Sequence, residues 1–279
     1  MKKLLLIVTL VISIVASSGV ADRYSAAPAA AVWYDYGSSS HHWMYAQLSY
    51  DEKCAYASRY DAYALGKAEL WDISRLGLAS WQQERVEFAV NNDCPELMLC
   101  APLIRIANFE VLLGGDEWLE ENAREIRSDL AHCERALRSV NWGSSDLAKV
   151  KAFDSQIANK THYLLDDDGP EGSLHLDSEV RSAKSAIVNR RAVCEGYSRS
   201  AQLAIRYSGV PCIYVTGKTK EGNGHAWVMV RIDNRWYHYD PTWNEGNNYF
   251  TMSDKERYRD VTVDSRFAYY GFDLPSCGK

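Results

Sequence analysis

Cysteine, histidine and aspartate at positions 194, 225 and 240 are the residues whose types and spacing best suit them to chemistry. Cys194 stands where a turn becomes a helix. From Tyr197 the apolar residues fall at Ala201, Ala204 and Ile205, and Gly209 with Pro211 supplies the stop. The unpaired N–H groups and positive dipole end of a helix N-terminus favour a thiolate, the nucleophilic form of cysteine. A nucleophile needs a base, and the base an orienter. His225 opens an expected strand running to Ile232, and Asp233-Asn234 turns the chain into a second strand, Arg235 to Asp240, closed by Pro241. The first residue of one strand then lies roughly opposite the last of the next, so His225 and Asp240 are expected to be cross-strand neighbours. A carboxylate there fixes the imidazole tautomer and supports its protonated form. Such a set of residues suits thiolate attack on a carbonyl carbon, with helix N–H groups, the Cys194 amide first, expected to hold the oxyanion. The resulting thioester passes to an amine or to water.

These elements also carry a resemblance. Val193-Cys194-Glu195-Gly196-Tyr197-Ser198, Gly209-Val210-Pro211-Cys212, Gly224-His225-Ala226-Trp227 and Trp236-Tyr237-His238-Tyr239-Asp240-Pro241-Thr242-Trp243 resemble, in order and spacing, the bacterial transglutaminase-like superfamily. Tyr249 to Asp254 matches a segment that often follows the aspartate in that group, and Asp93-Cys94-Pro95-Glu96-Leu97 a turn found upstream in longer members. The resemblance implies an α+β, papain-like core in which a helix carrying Cys194 packs on an antiparallel sheet carrying His225 and Asp240. It implies Cys194 as nucleophile, His225 as base and Asp240 as orienter, with no metal or organic cofactor. Many relatives carry Gln about a dozen residues before the cysteine, where this chain has Arg181; Arg181 is the implied oxyanion donor, with Trp227 a further supporting residue. Many also have Asn where this chain has Val228, and an acid where it has Asn244.

The 279 residues, 47% hydrophobic and 24% charged, have an ordinary globular composition and allow one large domain or two modest ones. Met1 to Ala21 has the basic, apolar and small-residue regions of a secretory leader, expected to be cleaved near Ala21. Loss of Lys2 and Lys3 would take the formal charge from −6 to −8, against nucleic acid or an anionic membrane as partner. The expected partner is a protein or peptide substrate, a wall or surface protein being one candidate. In an exported chain an odd cysteine marks a free thiol, and with Cys194 in that role six remain. Pairing within Cys54, Cys94, Cys100 and Cys133, and between Cys212 and Cys277, is one reading. A buried, unpaired Cys212 is the other.

The remaining chain divides into a flexible lead-in over 22–42, a mainly helical region over 43–160 and the thiol domain over 161–279. His41-His42 reads as a solvated pair. Ser49-Tyr50-Asp51-Glu52 is a capping box opening a helix to about Arg75, and a second helix runs from about Trp81 to Asn91. Leu103 to Leu113 reads as a strand ended by Gly114-Gly115, followed by a helix from Asp116 to about Val140 and another from Ser144 or Ser145 to about Thr161. Asp166-Asp167-Asp168 lacks the spacing of a calcium loop and reads as a solvated turn. His238 shares a strand face with Asp240 and is the rival base, ranked below His225. Two readings compete with a secreted thiol enzyme: a catalytically silent exported binding module on the same fold, and a delivery role for the helical region.

Overall fold

The computed structural model describes residues 42–67, Leu70, Ile73, 76–97, 101–164, 179–244 and 249–278; for 101–118 it describes the backbone alone. The expected leader, most of the lead-in, Cys100 and Asp166 to Asp168 lie outside the described residues. Among the described residues no helix is long and apolar enough to cross a membrane.

Helix α1, Trp43–Ala46, precedes α2, Tyr50–Leu65, which starts at the expected capping box: the Ser49 hydroxyl accepts from the Glu52 amide and the Glu52 carboxylate from the Ser49 amide. The helix stops ten residues short of the expected end. Gly66 takes a left-handed φ of 70°, and a Cβ there would lie 2.6 Å from the Glu120 Cα. Only glycine lets the chain turn so close to the crossing helix. His42 is not solvated but buried, with Nδ1 at 3.2 Å from the Tyr56 hydroxyl.

Helix α3 covers Ser80–Asp93, and α4 runs unbroken over Ala101–Arg138. The strand expected over Leu103 to Leu113 is therefore helix, and Gly114-Gly115 lies inside it. Two mid-helix glycines cost about 1 kcal/mol each relative to alanine. A 38-residue helix whose described inner stripe includes Leu119, Ile126, Cys133 and Leu137 overrides that. Helix α5, Asp146–Gln156, is capped by the Ser145 hydroxyl.

A short parallel pair, β1 His162–Tyr163 with β2 Arg191–Ala192, leads into helix α6, Cys194–Tyr207. The main sheet is antiparallel in the order β5-β4-β3-β6, with β3 Cys212–Thr219, β4 Gly224–Ile232, β5 Arg235–Tyr239 and β6 Val261–Val263. Asp233 and Asn234 take positive φ of 48° and 63°, the tight turn expected between β4 and β5. Helices α7, Asp254–Arg257, and α8, Arg266–Tyr269, flank β6. The α+β architecture matches the expectation: a cysteine-bearing helix packed on an antiparallel sheet that carries the histidine, with the aspartate one residue past the end of β5.

Helix α6 is buried on nearly its whole circumference, the polar face included. That face meets the last turn of α3: Arg199 donates to the Asn91 carbonyl at 2.9 Å, Gln202 to that of Asn92 at 2.7 Å, and Arg206 to that of Asp93. The unpaired carbonyls and negative dipole end of α3 are thus satisfied by cations and an amide from the cysteine helix. Residues Ser38–Lys279 form one compact unit.

Cys54, Cys94, Cys133, Cys194, Cys212 and Cys277 are all free, so the Cys212–Cys277 bridge is not formed. Cys212 is a fully buried small residue, and the Cys94 sulfur lies 2.9 Å from the Tyr56 hydroxyl.

Candidate active site

Cys194 is the first residue of α6 and half-buried; Val193, at the cap position, has no polar side chain to compete for the first-turn N–H groups. The approach to this helix start is tight. A Cβ on Gly196 would lie 2.2 Å from the Val180 carbonyl oxygen and 2.3 Å from the Ser185 hydroxyl, so only glycine fits two residues after the thiol.

His225 Nε2 lies 2.7 Å from Asp240 Oδ2, and both residues are buried. Val228 pairs with Tyr239 and the two-residue period continues, so Asp240 falls opposite Trp227 rather than His225. The two meet as diagonal neighbours on one face, because the strand ends at Tyr239 and Pro241 turns the aspartate back. A carboxylate only accepts, so Nε2 carries the proton and Nδ1 is left for the hydrogen bond to Cys194. Burial by itself lowers the His225 pKa, but the hydrogen bonds to Asp240 and Cys194 and the charges of those groups prevail and raise it to about 9.

Asp240 is saturated. Oδ1 accepts from the amides of Thr242 at 3.0 Å and Trp243 at 3.3 Å, an Asx turn at Asp-Pro-Thr-Trp, while Oδ2 also takes Arg257 Nη2 at 2.8 Å. The Trp243 ring stacks on His225 with centroids 4.1 Å apart and planes 15° from parallel. On the other face of the sheet Asp154 ties down the same turn: its Oδ1 accepts from the Tyr239 hydroxyl at 2.7 Å and the Asn244 amide at 2.8 Å. An acid at 244 would set two carboxylates together, which accounts for asparagine there.

Of the two supporting residues expected from the sequence, Arg181 reaches Glu195 and Trp227 reaches His238. Arg181 Nη1 lies 3.2 Å from Glu195 Oε2, so its charge is committed to the residue after the thiol. Glu195 turns away from Cys194, as expected, to Arg181 and Arg199. Trp227 is fully buried and donates through Nε1 to His238 Nδ1 at 3.0 Å. That bond fixes the His238 proton on Nε2, aimed at Asp254 Oδ1 at 2.9 Å. The rival base thus has both nitrogens occupied and, with burial the main cause, a lowered pKa. Cys277 joins His238 and Asp254 in a cluster whose ligand-type atoms lie within 4.8 Å of one another. With the Nε2 lone pair protonated and Asp254 Oδ2 taken by the Cys277 amide at 3.0 Å and the Ser276 hydroxyl at 3.1 Å, this cluster is built as a hydrogen-bonded latch for the C-terminal segment. A polar cavity of about 560 Å³ adjoins Glu195, lined by Arg199, Tyr214, Phe88 and Tyr270 among others.

Sequence reasoning missed Arg257 and Asp154. Arg257 ends the four-residue helix of a Ser-Asp-Lys-Glu-Arg capping box, a surface pattern. Asp154 sits near the end of α5, 85 and 90 residues before its partners Tyr239 and Asn244. Neither carries a local signal of burial.

The profile of the Transglutaminase-like superfamily matches residues 134–241. Mouse kyphoscoliosis peptidase is 26% identical over 113 residues, covering 37% of this chain and 16% of that protein. An uncharacterized protein of Mycobacterium leprae (strain TN) is 32% identical over 72 residues, covering 22% of this chain and 25% of its own length. The match therefore spans a quarter or less of each of these relatives. The crystal structure of a TGase aligns with a TM-score of 0.38 at 23% identity, over 54% of this chain and 40% of that one. By the profile match, the domain over residues 134–241 belongs to the transglutaminase-like superfamily.

Proposed function

We propose that the protein is a thiol enzyme acting on protein or peptide amides through Cys194, His225 and Asp240. The observation that carries this reading is His225 held by Asp240 at 2.7 Å through Nε2, with Cys194, the first residue of α6, close enough to help raise the imidazole pKa. His225 Nδ1 takes the thiol proton, and the thiolate attacks the amide carbon. First-turn N–H groups hold the oxyanion, a role that suits them better than Arg181, whose charge faces Glu195. The imidazolium returns its proton to the departing amine and a thioester remains. Water or a second amine then releases the acyl group, giving hydrolysis or acyl transfer. The name peptidase borne by the mouse relative supports the hydrolytic branch, and the leader-like Met1 to Ala21 supports an exported location.

Incubation of the protein and its Cys194→Ala variant with a glutamine-containing peptide, with and without a primary amine, tests this. Product masses separate cleavage, deamidation and amine incorporation. One of the three is expected from the native chain and none from the variant; equal products from both would remove the thiol from the chemistry.

A further inference from the structure

We infer that Arg257 is a positioning residue of the thiol site, whose guanidinium orients Asp240 and supplies the positive charge that balances the carboxylate behind His225. The inference rests on the thiol–imidazole reading above and goes beyond it.

Arg257 is fully buried, and so is the carboxylate it meets. Its Nη2 and His225 Nε2 share a single oxygen, Asp240 Oδ2, at 2.8 Å and 2.7 Å. The guanidinium lies 4.6 Å from the ring centroid of Trp227 and 5.1 Å from that of Trp243, the ring stacked on His225. Two cation–π contacts and one ion pair therefore fix the fork in place. The other charged or titratable groups that interact with it are Asp260, Tyr249 and Tyr258, and the uncharged tautomer of His238 stands beside it.

The charge count gives the residue its role. A thiolate, an imidazolium, a carboxylate and a guanidinium sum to zero, and the last three of these groups are buried. Without the guanidinium the same site holds a net negative charge whenever the thiolate forms, and a negative neighbourhood disfavours a second anion. Removal of the charge should therefore move thiolate formation to higher pH, an effect that loss of packing alone does not produce.

The test is the rate of iodoacetamide alkylation at Cys194 against pH, read from the mass of the Cys194 peptide in the full chain, for the native protein and for Arg257→Met, Arg257→Gln, Arg257→Lys and His225→Ala, with thermal melts to establish folding. The Met and Gln variants should shift the alkylation midpoint upward by about one pH unit, while Lys, which keeps the charge, stays near the native value. Folded Met or Gln variants with the native midpoint overturn the inference. So does a folded Lys variant whose midpoint rises by the full unit despite its retained charge, which decides the matter should both neutral variants fail to fold. The His225→Ala arm separates the two claims. If it keeps the native midpoint the thiol–imidazole reading fails; if it moves while the Arg257 variants do not, only the role of Arg257 fails.

Discussion

At the scale of single residues, hydrogen-bond partners set the two buried histidines apart. His225 donates to Asp240 and keeps one nitrogen for Cys194, whereas His238, two residues earlier than Asp240 on the same strand face, has both nitrogens taken by Trp227 and Asp254. The bond partners, not the residue type, separate the proposed base from the rival histidine. The pH dependence follows from the raised His225 pKa. Its folded value of about 9 stands above the ordinary 6.5, so the favourable charge is fully present below about pH 6.5 and is lost as pH rises through 9. Turnover of a peptide substrate should hold through neutral pH and fall along a basic limb centred near 9; a limb near 6.5 would show that the imidazole does not feel Asp240 and Cys194 together.

At the scale of elements, two contacts hold the reactive ends in register. The start of α6 is pressed against residues 180 and 185 at Gly196, where an added methyl has no room. Gly196→Ala should cost about 1–3 kcal/mol by overpacking, seen as a lower urea midpoint at unchanged slope, and should depress Cys194 alkylation even where the protein remains folded. The end of β5 is held by Asp154 from α5. Asp154→Ala leaves the Tyr239 hydroxyl and the Asn244 amide without their acceptor and should cost about 1–3 kcal/mol. Turnover should fall further than stability does, because the aspartate between those two residues loses its fixed turn. Equal losses in Asp154→Ala and in a remote core variant of matched stability would assign Asp154 to packing alone.

At the scale of the whole molecule, α3 and α6 share a buried polar seam in which Arg199, Gln202 and Arg206 of α6 close the C-terminus of α3. Asp93 sits in that seam. Burial raises its pKa to about 7, with Arg206 and backbone amides pulling the other way. A carboxyl that keeps its proton in the fold but loses it near pH 4 when unfolded makes the fold progressively less stable as pH rises from about 4 to 7. The urea midpoint should drop over that range in the native protein and drop less in Asp93→Asn; parallel curves would show that Asp93 does not carry the effect. Much of the site was legible in the sequence because it is local chemistry. A helix start, a tight Asp-Asn turn and a period of two are set by neighbours in the chain, so Cys194 on a helix end and His225 with Asp240 on one sheet face could be read directly. The capping box at Ser49 was legible for the same reason. The helix over 101–138 was not, since an apolar run broken by glycines fits strand and helix alike and only packing chooses between them. The diagonal register of His225 and Asp240, the burial of Arg257 between two tryptophans, the grip of Asp154 and the unbridged cysteines were decided by the tertiary structure alone. Each depends on groups far apart in the chain that become neighbours only when the sheet and helices close on one another, and in that low-dielectric interior an unpaired charge costs more than any local preference supplies.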